Sequence, residues 1–340
     1  MNIIENVFSE QFIYALGWTL IHSLWQGALI GLLIAMAMVL LHKYSAKLRY
    51  FIYITSLLVV AGLAVVTFIS SYATFQSSDA KTNLPATTSE VFFDSGESTM
   101  SITGQAKEHG RMKTFLISTA TYCRTHIPLF VTIWLLGMLA FMLRFLGGYA
   151  LVRRYKHHRT MPVRGEWEKR FASLVQRSGI TQKVRLLESA LIKLPMVIGY
   201  LKPVVLLPLG AINGVPAEQM EAILAHELAH IRRRDYLMNL IQSLLEVIFF
   251  YHPVVWWLSN NIRVERENIC DDIAITLTGN TMEFAKALTS IQEINLTTPG
   301  LATGLSGKNK NSLLNRIRRI SGKPRLHSSF AEGFIAATIL

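Results

Sequence analysis

Three long stretches of this chain carry almost no charge, so much of it must fold in a bilayer rather than in water. Gln11 to Leu41 contains no Asp, Glu, Lys or Arg, and neither does Phe51 to Phe75. Ile127 to Val152 is apolar apart from Arg144 near one end, where a long side chain can snorkel towards headgroups. Each exceeds the roughly 20 residues that a spanning helix needs. The first is too long for a signal-peptide core, and its leading flank carries Glu5 and Glu10 instead of basic residues. Three spanning helices are therefore expected. Phe330 to Leu340 is largely apolar but too short to span. It reads as the start of a fourth helix, with a short packed terminal helix as the alternative.

Composition agrees. Charged residues make up 16% of the chain, against about 25% in an ordinary soluble domain. The 51% hydrophobic content excludes disorder as the global state. Two cysteines are too few for a disulfide-stapled scaffold.

The basic residues give the orientation. The turn after the first run holds Lys43, Lys47 and Arg49. Residues 153–328 hold 25 Lys and Arg against 14 Asp and Glu, a net of +11 out of +12 for the chain. The 76–125 segment has five of each sign. The positive-inside rule then places the first turn and residues 153–328 in the cytoplasm, and the N-terminus and 76–125 outside. The expected organisation is a two-helix transmembrane hairpin (1–75), an extracytoplasmic loop (76–125), a third spanning helix (126–152), a cytoplasmic domain (153–328) and the start of a fourth spanning helix (329–340). The outer loop is polar from Gln76 to Gly110 and reads as a mobile segment without a core. Cys123 and Cys270 fall on opposite sides of the membrane, so they are not expected to form a disulfide.

The chemistry lies in the cytoplasmic region. Ala217 to Arg234 has helical periodicity, with Pro216 where a first-turn proline is tolerated and Glu218 and Glu221 near the positive end of the dipole. It carries His226-Glu227-Leu228-Ala229-His230. The i, i+4 spacing puts both imidazoles on one face, where they can bind one Zn²⁺ ion. Glu227 can reach a water held there without ligating, and is the candidate general base. Asp235 follows closely and can support a ligand by hydrogen bonding. A third ligand is expected on a later helix. Glu267 and Asp271 share a face, so Glu267 can ligate while Asp271 orients a histidine ring. Glu265, with Ile269 at i+4, is the alternative. Cys270 reads as a small buried residue, although it is a possible soft ligand.

Tyr236 to Leu258 is apolar enough to imitate a span. If it crossed the bilayer, the two histidines and Glu267 would lie on opposite sides and could not share an ion. Glu246 within the run and the break at His252-Pro253 also oppose a crossing. A buried or membrane-resting helix is expected, with Phe249, Phe250, Tyr251, Trp256 and Trp257 either at headgroup level or in the domain core. Upstream, Val184–Leu187, Met196–Tyr200 and Val204–Leu207 read as short strands separated by prolines. A substrate peptide can add to such a sheet edge; a hairpin that only packs on helices is the alternative.

Four segments carry a resemblance: Trp18–Gly27 (WTLIHSLWQG), Pro195–Pro208 (PMVIGYLKPVVLLP), Ile223–Asp235 (ILAHELAHIRRRD) and Glu267–Asp271 (ENICD). Together they resemble the M56 family of integral-membrane zinc metallopeptidases, the BlaR1/MecR1-like antirepressor sensors. The resemblance covers most of the chain. It implies His226, His230 and Glu267 as zinc ligands and Glu227 as general base. It further implies a mainly α-helical membrane protein, with spanning helices around a cytoplasmic α+β gluzincin-like domain in the bacterial plasma membrane. The implied partners are the lipid bilayer and a cytoplasmic protein substrate such as a transcriptional repressor, with self-cleavage as well. Thr297–Ser312, rich in Gly, Ser, Thr and Asn, is a candidate self-cleavage loop, or else a solvated linker. The outer C-terminal sensor of the antibiotic-responsive members is not expected here, so β-lactam sensing is not expected either.

Two further functional classes remain to be weighed. One is a non-catalytic membrane signalling or scaffold protein with a structural zinc site. The other, a membrane-tethered nucleic-acid binder, draws only on net charge and lacks interleaved aromatic and basic residues, so direct nucleic-acid binding is not expected. His22 and Gln26, i and i+4 in the first run, are read as partners in interhelical hydrogen bonds. Arg232–Arg234 and Arg316, Arg318 and Arg319 are candidates for contact with anionic lipid.

Overall fold

The computed structural model describes residues 8–82, 106–297 and 306–322. The first three helices are α1 (Glu10–Leu40), α2 (Ala46–Thr82) and α3 (Ala106–His157). Among the described residues, three segments are long and apolar enough to cross a membrane: Glu10–Leu40, Ala46–Thr74 and Thr125–Lys156. The outer loop expected at 76–125 lies between the second and third of these segments, and both helices continue into it, α2 to Thr82 and α3 from Ala106. A helix once formed gains one backbone hydrogen bond per added residue, so polar composition alone does not stop it. The expected fourth span at 329–340 lies outside the described residues.

The chain divides into two compact units. The first comprises Met1–Ile30 and Leu58–Leu139. In it, α1 and α3 approach closely: a Cβ on Gly17 would come within 2.5 Å of Ile127 Cγ2, the small-residue contact typical of membrane helices. Gln26 bonds to Thr67 on α2 at 3.2 Å, as the interhelical reading expects. His22 instead accepts a hydrogen bond from Trp25 within its own helix.

The second unit comprises Gly31–Leu57 and Ala140–Leu340. Its sheet has β1 (Thr160–Pro162), β2 (Arg185–Ser189), β3 (Met196–Ile198) and β4 (Val204–Pro208) in the order β1-β2-β4-β3. β2 and β4 are parallel, with Leu187 opposite Leu206; the outer pairs are antiparallel. Val204 to Leu207 are completely buried, as the uninterrupted apolar run of an inner strand requires. β1 has no sequence signal, since it is three residues long and mostly exposed.

Helices α4 (Glu166–Arg177), α5 (Ala211–Gly214), α6 (Ala217–Arg232), α9 (Thr281–Thr297) and α10 (Ser306–Ile320) complete the domain with two more, α7 (Asp235–Ile248) and α8 (Pro253–Thr278). Its core joins Leu174, Leu207, Leu224, Leu228 and Phe284. The part of Thr297–Ser312 from Ser306 onward lies in α10 rather than in a linker.

The run from Tyr236 to Leu258 is not a single helix. It forms α7, a corner at Phe249–His252, and the first turns of α8, with Pro253 at the helix start, where its missing N–H is harmless. The corner meets all three membrane helices. A Cβ on Gly31 of α1 would lie 2.8 Å from Val254 Cγ1. Trp257 packs on Tyr53 of α2, with ring centroids 5.8 Å apart. Phe250 and Trp256 pack on Phe141 of α3, at 5.1 and 6.2 Å. The chain thus packs against residues of all three apolar helices and turns back.

A second tie is ionic. Arg49, at the start of α2, grips Glu265 of α8 bidentately: Nε and a terminal guanidinium nitrogen each lie 2.8 Å from one carboxylate oxygen. Both side chains are almost fully buried, and Asn268 donates a further bond to the same carboxylate. Removing one partner of a buried pair leaves an uncompensated charge. Arg49→Ala should therefore destabilise the protein by about 3–5 kcal/mol. The combined Arg49→Met, Glu265→Met replacement should recover most of that loss, as read by denaturant unfolding in detergent.

Candidate metal centre

Helix α6 presents His226 and His230 on one face, and the C-terminal half of α8 runs against it. The two Nε2 atoms are 3.3 Å apart. Glu267 faces both: Oε2 is 3.4 Å from His226 Nε2, and Oε1 is 3.8 Å from His230 Nε2. Tetrahedral donors about 2.0–2.1 Å from a zinc ion stand about 3.3–3.4 Å from one another, so this spacing and this His/His/Glu donor set suit such an ion.

Each imidazole has a carboxylate behind it. Asp235 Oδ2 lies 2.9 Å from His230 Nδ1. Asp271 Oδ1 lies 3.1 Å from His226 Nδ1, off the line of a well-aligned hydrogen bond. The first arrangement depends on a backbone oddity. Arg234 adopts the left-handed conformation, with φ 60°, which costs a non-glycine residue of order 1–3 kcal/mol. That residue lets α7 begin only three residues after α6 ends, so Asp235 turns back towards His230.

The guanidinium groups neutralise the acids. Arg316 of α10 bonds Asp271 with two nitrogens, at 3.0 and 2.6 Å, and approaches Glu267 at 3.7 Å. Arg319 bonds Asp272 and the Asn268 carbonyl. Arg316 and Arg319 are therefore engaged with the domain, which replaces the lipid-contact expectation for both. Arg233 lies beside Asp235 and over the Tyr50 ring.

Burial alone would raise the pKa of Glu267 and Asp271, but the histidines and Arg316 outweigh it and hold both below the usual carboxylate range. Asp235 is likewise held down, by His230 and Arg233. Burial works against a charged His226, yet Asp271 and Glu267 prevail and push it up to about 10. Glu227 moves the other way: burial raises its pKa, and the nearby histidines only partly offset this. Its carboxylate makes no hydrogen bond among the described residues.

The two remaining acceptor candidates differ in position. Glu265 is occupied by Arg49. Cys270 is fully buried, with Sγ 3.4 Å from both His230 Nδ1 and Asp235 Oδ2. Burial and the acids beside it push its thiol well above the ordinary value, which suits a packed thiol rather than a thiolate ligand. Arg49 and Arg316 were not singled out as site residues from sequence, because their partners lie 216 and 45 residues away and no local pattern links them.

Residues 18–320 match the family described as BlaR1 peptidase M56. The regulatory protein BlaR1 of Bacillus licheniformis is 32% identical over 142 residues, 42% of this chain and 24% of that one. The methicillin resistance mecR1 protein of Staphylococcus aureus is 27% identical over 77 residues, 23% of this chain and 13% of its own. The match thus spans about a quarter or less of the length of these curated relatives. The crystal structure of S. mikatae Ste24p aligns over 96% of each chain, at 12% identity and a TM-score of 0.28.

The geometry separates the acids by measurement. Glu267→Ala should abolish tight binding of a divalent ion, read by metal analysis and calorimetry, as should His226→Ala. Asp235→Asn should weaken binding about 10–100-fold. Glu265→Gln should alter unfolding more than metal content. His226 must give up its proton to ligate, so affinity should fall as the pH is lowered.

Proposed function

The chain belongs to the BlaR1 peptidase M56 family, and from that premise we propose that it is an integral-membrane zinc-dependent endopeptidase of regulatory type. It hydrolyses peptide bonds in a cytoplasmic protein, such as a transcriptional repressor, and in itself. The observation that carries this reading is the convergence of His226, His230 and Glu267 around one point, beside a Glu227 whose carboxylate has no competing hydrogen bond among the described residues.

His226, His230 and Glu267 would hold one Zn²⁺, with Asp271 and Asp235 fixing the two rings. The ion, when bound, supplies Lewis acidity to polarise a peptide carbonyl and acidify water. Glu227 accepts the proton of the attacking water and passes it to the departing amine nitrogen. Its raised pKa suits both halves of that task, since a stronger base takes the proton more readily at neutral pH.

The substrate enters as a strand in this reading. β3 is an edge strand, paired only with β4 in the described sheet. Val197 on it and Gly199 just after it line the small recess that contains His230. Main-chain hydrogen bonds to that edge would hold a peptide largely independently of its sequence. The domain at 153–328 is assigned to the cytoplasm and the N-terminus to the outside, on the distribution of Lys and Arg.

Glu227→Gln should retain the metal and lose cleavage by about 10²-fold or more. Unchanged proteolysis in that variant would overturn the catalytic reading in favour of a structural zinc site. Because Glu227 protonates at a higher pH than an ordinary glutamate, cleavage should decline on acidification well before a free glutamate would titrate. Reporter fusions after Leu41 and after Arg325 should report cytoplasm, and one at Gly96 the outside.

A further inference from the structure

A cavity of about 490 Å³ lies between α3 and the α7–α8 pair, and none of the metal-site residues named above lines it. Its lining is graded. Towards the corner it is aromatic, with Phe141, Phe145 and Trp256. Towards the start of α7 it is polar, with Tyr149, Tyr236, Asn239 and Ser243. Between the two ends stand Arg144, Glu246 and Arg263.

The charges do not balance. Arg263 is paired with Glu246 across α7 and α8. Arg144 has no ion pair or hydrogen bond among the described residues. The cavity therefore keeps one net positive charge. Arg144 stands nine residues before Arg153, about 13 Å along the helix. A charge at that depth on a membrane helix is stabilised by a partner, a polar cavity or a snorkelling path to the headgroups. The cavity is open at its rim, where the lining residues Tyr149 of α3, Leu240 of α7 and Trp256 of α8 are exposed. A Cβ built on Gly148 would meet nothing within 4 Å, so the helix leaves open space there.

We infer that this cavity binds one anionic phospholipid of the inner leaflet, with its phosphate on Arg144 and an acyl chain along Phe141, Phe145 and Trp256. The polar headgroup reaches Asn239, Ser243 and the two tyrosine hydroxyls. A monoanionic lipid such as phosphatidylglycerol matches the single unbalanced charge. Basic pockets between membrane helices recognise lipid headgroups in this way. The aromatic end and the exposed apolar rim at Leu240 and Trp256 favour a lipid over a soluble phosphate compound.

The test uses the full chain, purified in mild detergent, stripped of lipid and titrated with phosphatidylglycerol under native mass spectrometry. The wild type should hold one molecule, about five- to tenfold more tightly than phosphatidylcholine. Arg144→Gln should remove that preference. Gly148→Leu should lower retention of both lipids by filling the space, and Arg144→Lys should keep most of the preference. Metal content and lipid-free unfolding, measured on the same samples, should match the wild type and so exclude misfolding as the cause. Wild-type retention in both Arg144→Gln and Gly148→Leu would overturn the inference. So would equal binding of the two lipids by the wild type, or displacement of phosphatidylglycerol by millimolar inorganic phosphate.

Discussion

Where α6 meets α8, two imidazoles, several carboxylates and two guanidiniums share a small, largely buried volume, and all but Glu227 are held against a particular partner. Asp235 stands behind His230 and Asp271 behind His226. Arg316 neutralises Asp271, and Arg49 takes Glu265 out of competition. Glu267 is then the acid left facing both Nε2 atoms. Buried charges are tolerable only in such complete networks, because an unpaired one costs several kcal/mol. The three donors that this pairing leaves facing one another, His226, His230 and Glu267, are what make the point suitable for a cation.

Helix α8 connects that network to the bilayer. Its 26 residues extend about 39 Å at the standard rise. Its first turns lie among Tyr53 and Phe141 of the membrane helices. Further along come the Arg49 pair, then Glu267, then Asp271. One stiff element thus fixes both the depth of the aromatic corner and the position of the proposed third ligand. The corner also explains how a run as apolar as Tyr236 to Leu258 avoids crossing. Phe249 to Trp257 find apolar partners on three membrane helices, while Gln242 donates to the Ser259 carbonyl across the α7–α8 pair. Within the turn, Trp256 donates its indole N–H to the Phe250 carbonyl.

Much of this was legible beforehand because it is written in local periodicity. His226 and His230 are one helical turn apart wherever α6 goes. The strands at Arg185–Ser189, Met196–Ile198 and Val204–Pro208 follow from short β-branched and leucine-rich runs between prolines. The sequence favours Glu267 over Glu265, through its shared face with Asp271, but leaves Glu265 open. Two acids two residues apart point about 200° apart on a helix, and only the surroundings decide which one meets the histidines. For Glu265 the deciding residue is Arg49, at the far end of a membrane hairpin. Arg316 and Arg319 looked like basic surface residues because their acidic partners belong to another helix.

By itself, the sequence determined which segments are apolar enough to require a bilayer, and it determined that two imidazoles share a helix face with a glutamate beside them. Those properties depend on neighbours within one or two turns, where backbone geometry is fixed by hydrogen bonding. Tertiary structure alone decided how the apolar run after Asp235 turns back, which carboxylate faces the histidines, and which arginine balances each acid. Those outcomes depend on charges and rings brought together across tens to hundreds of residues, and their energies exist only once water has been excluded between them.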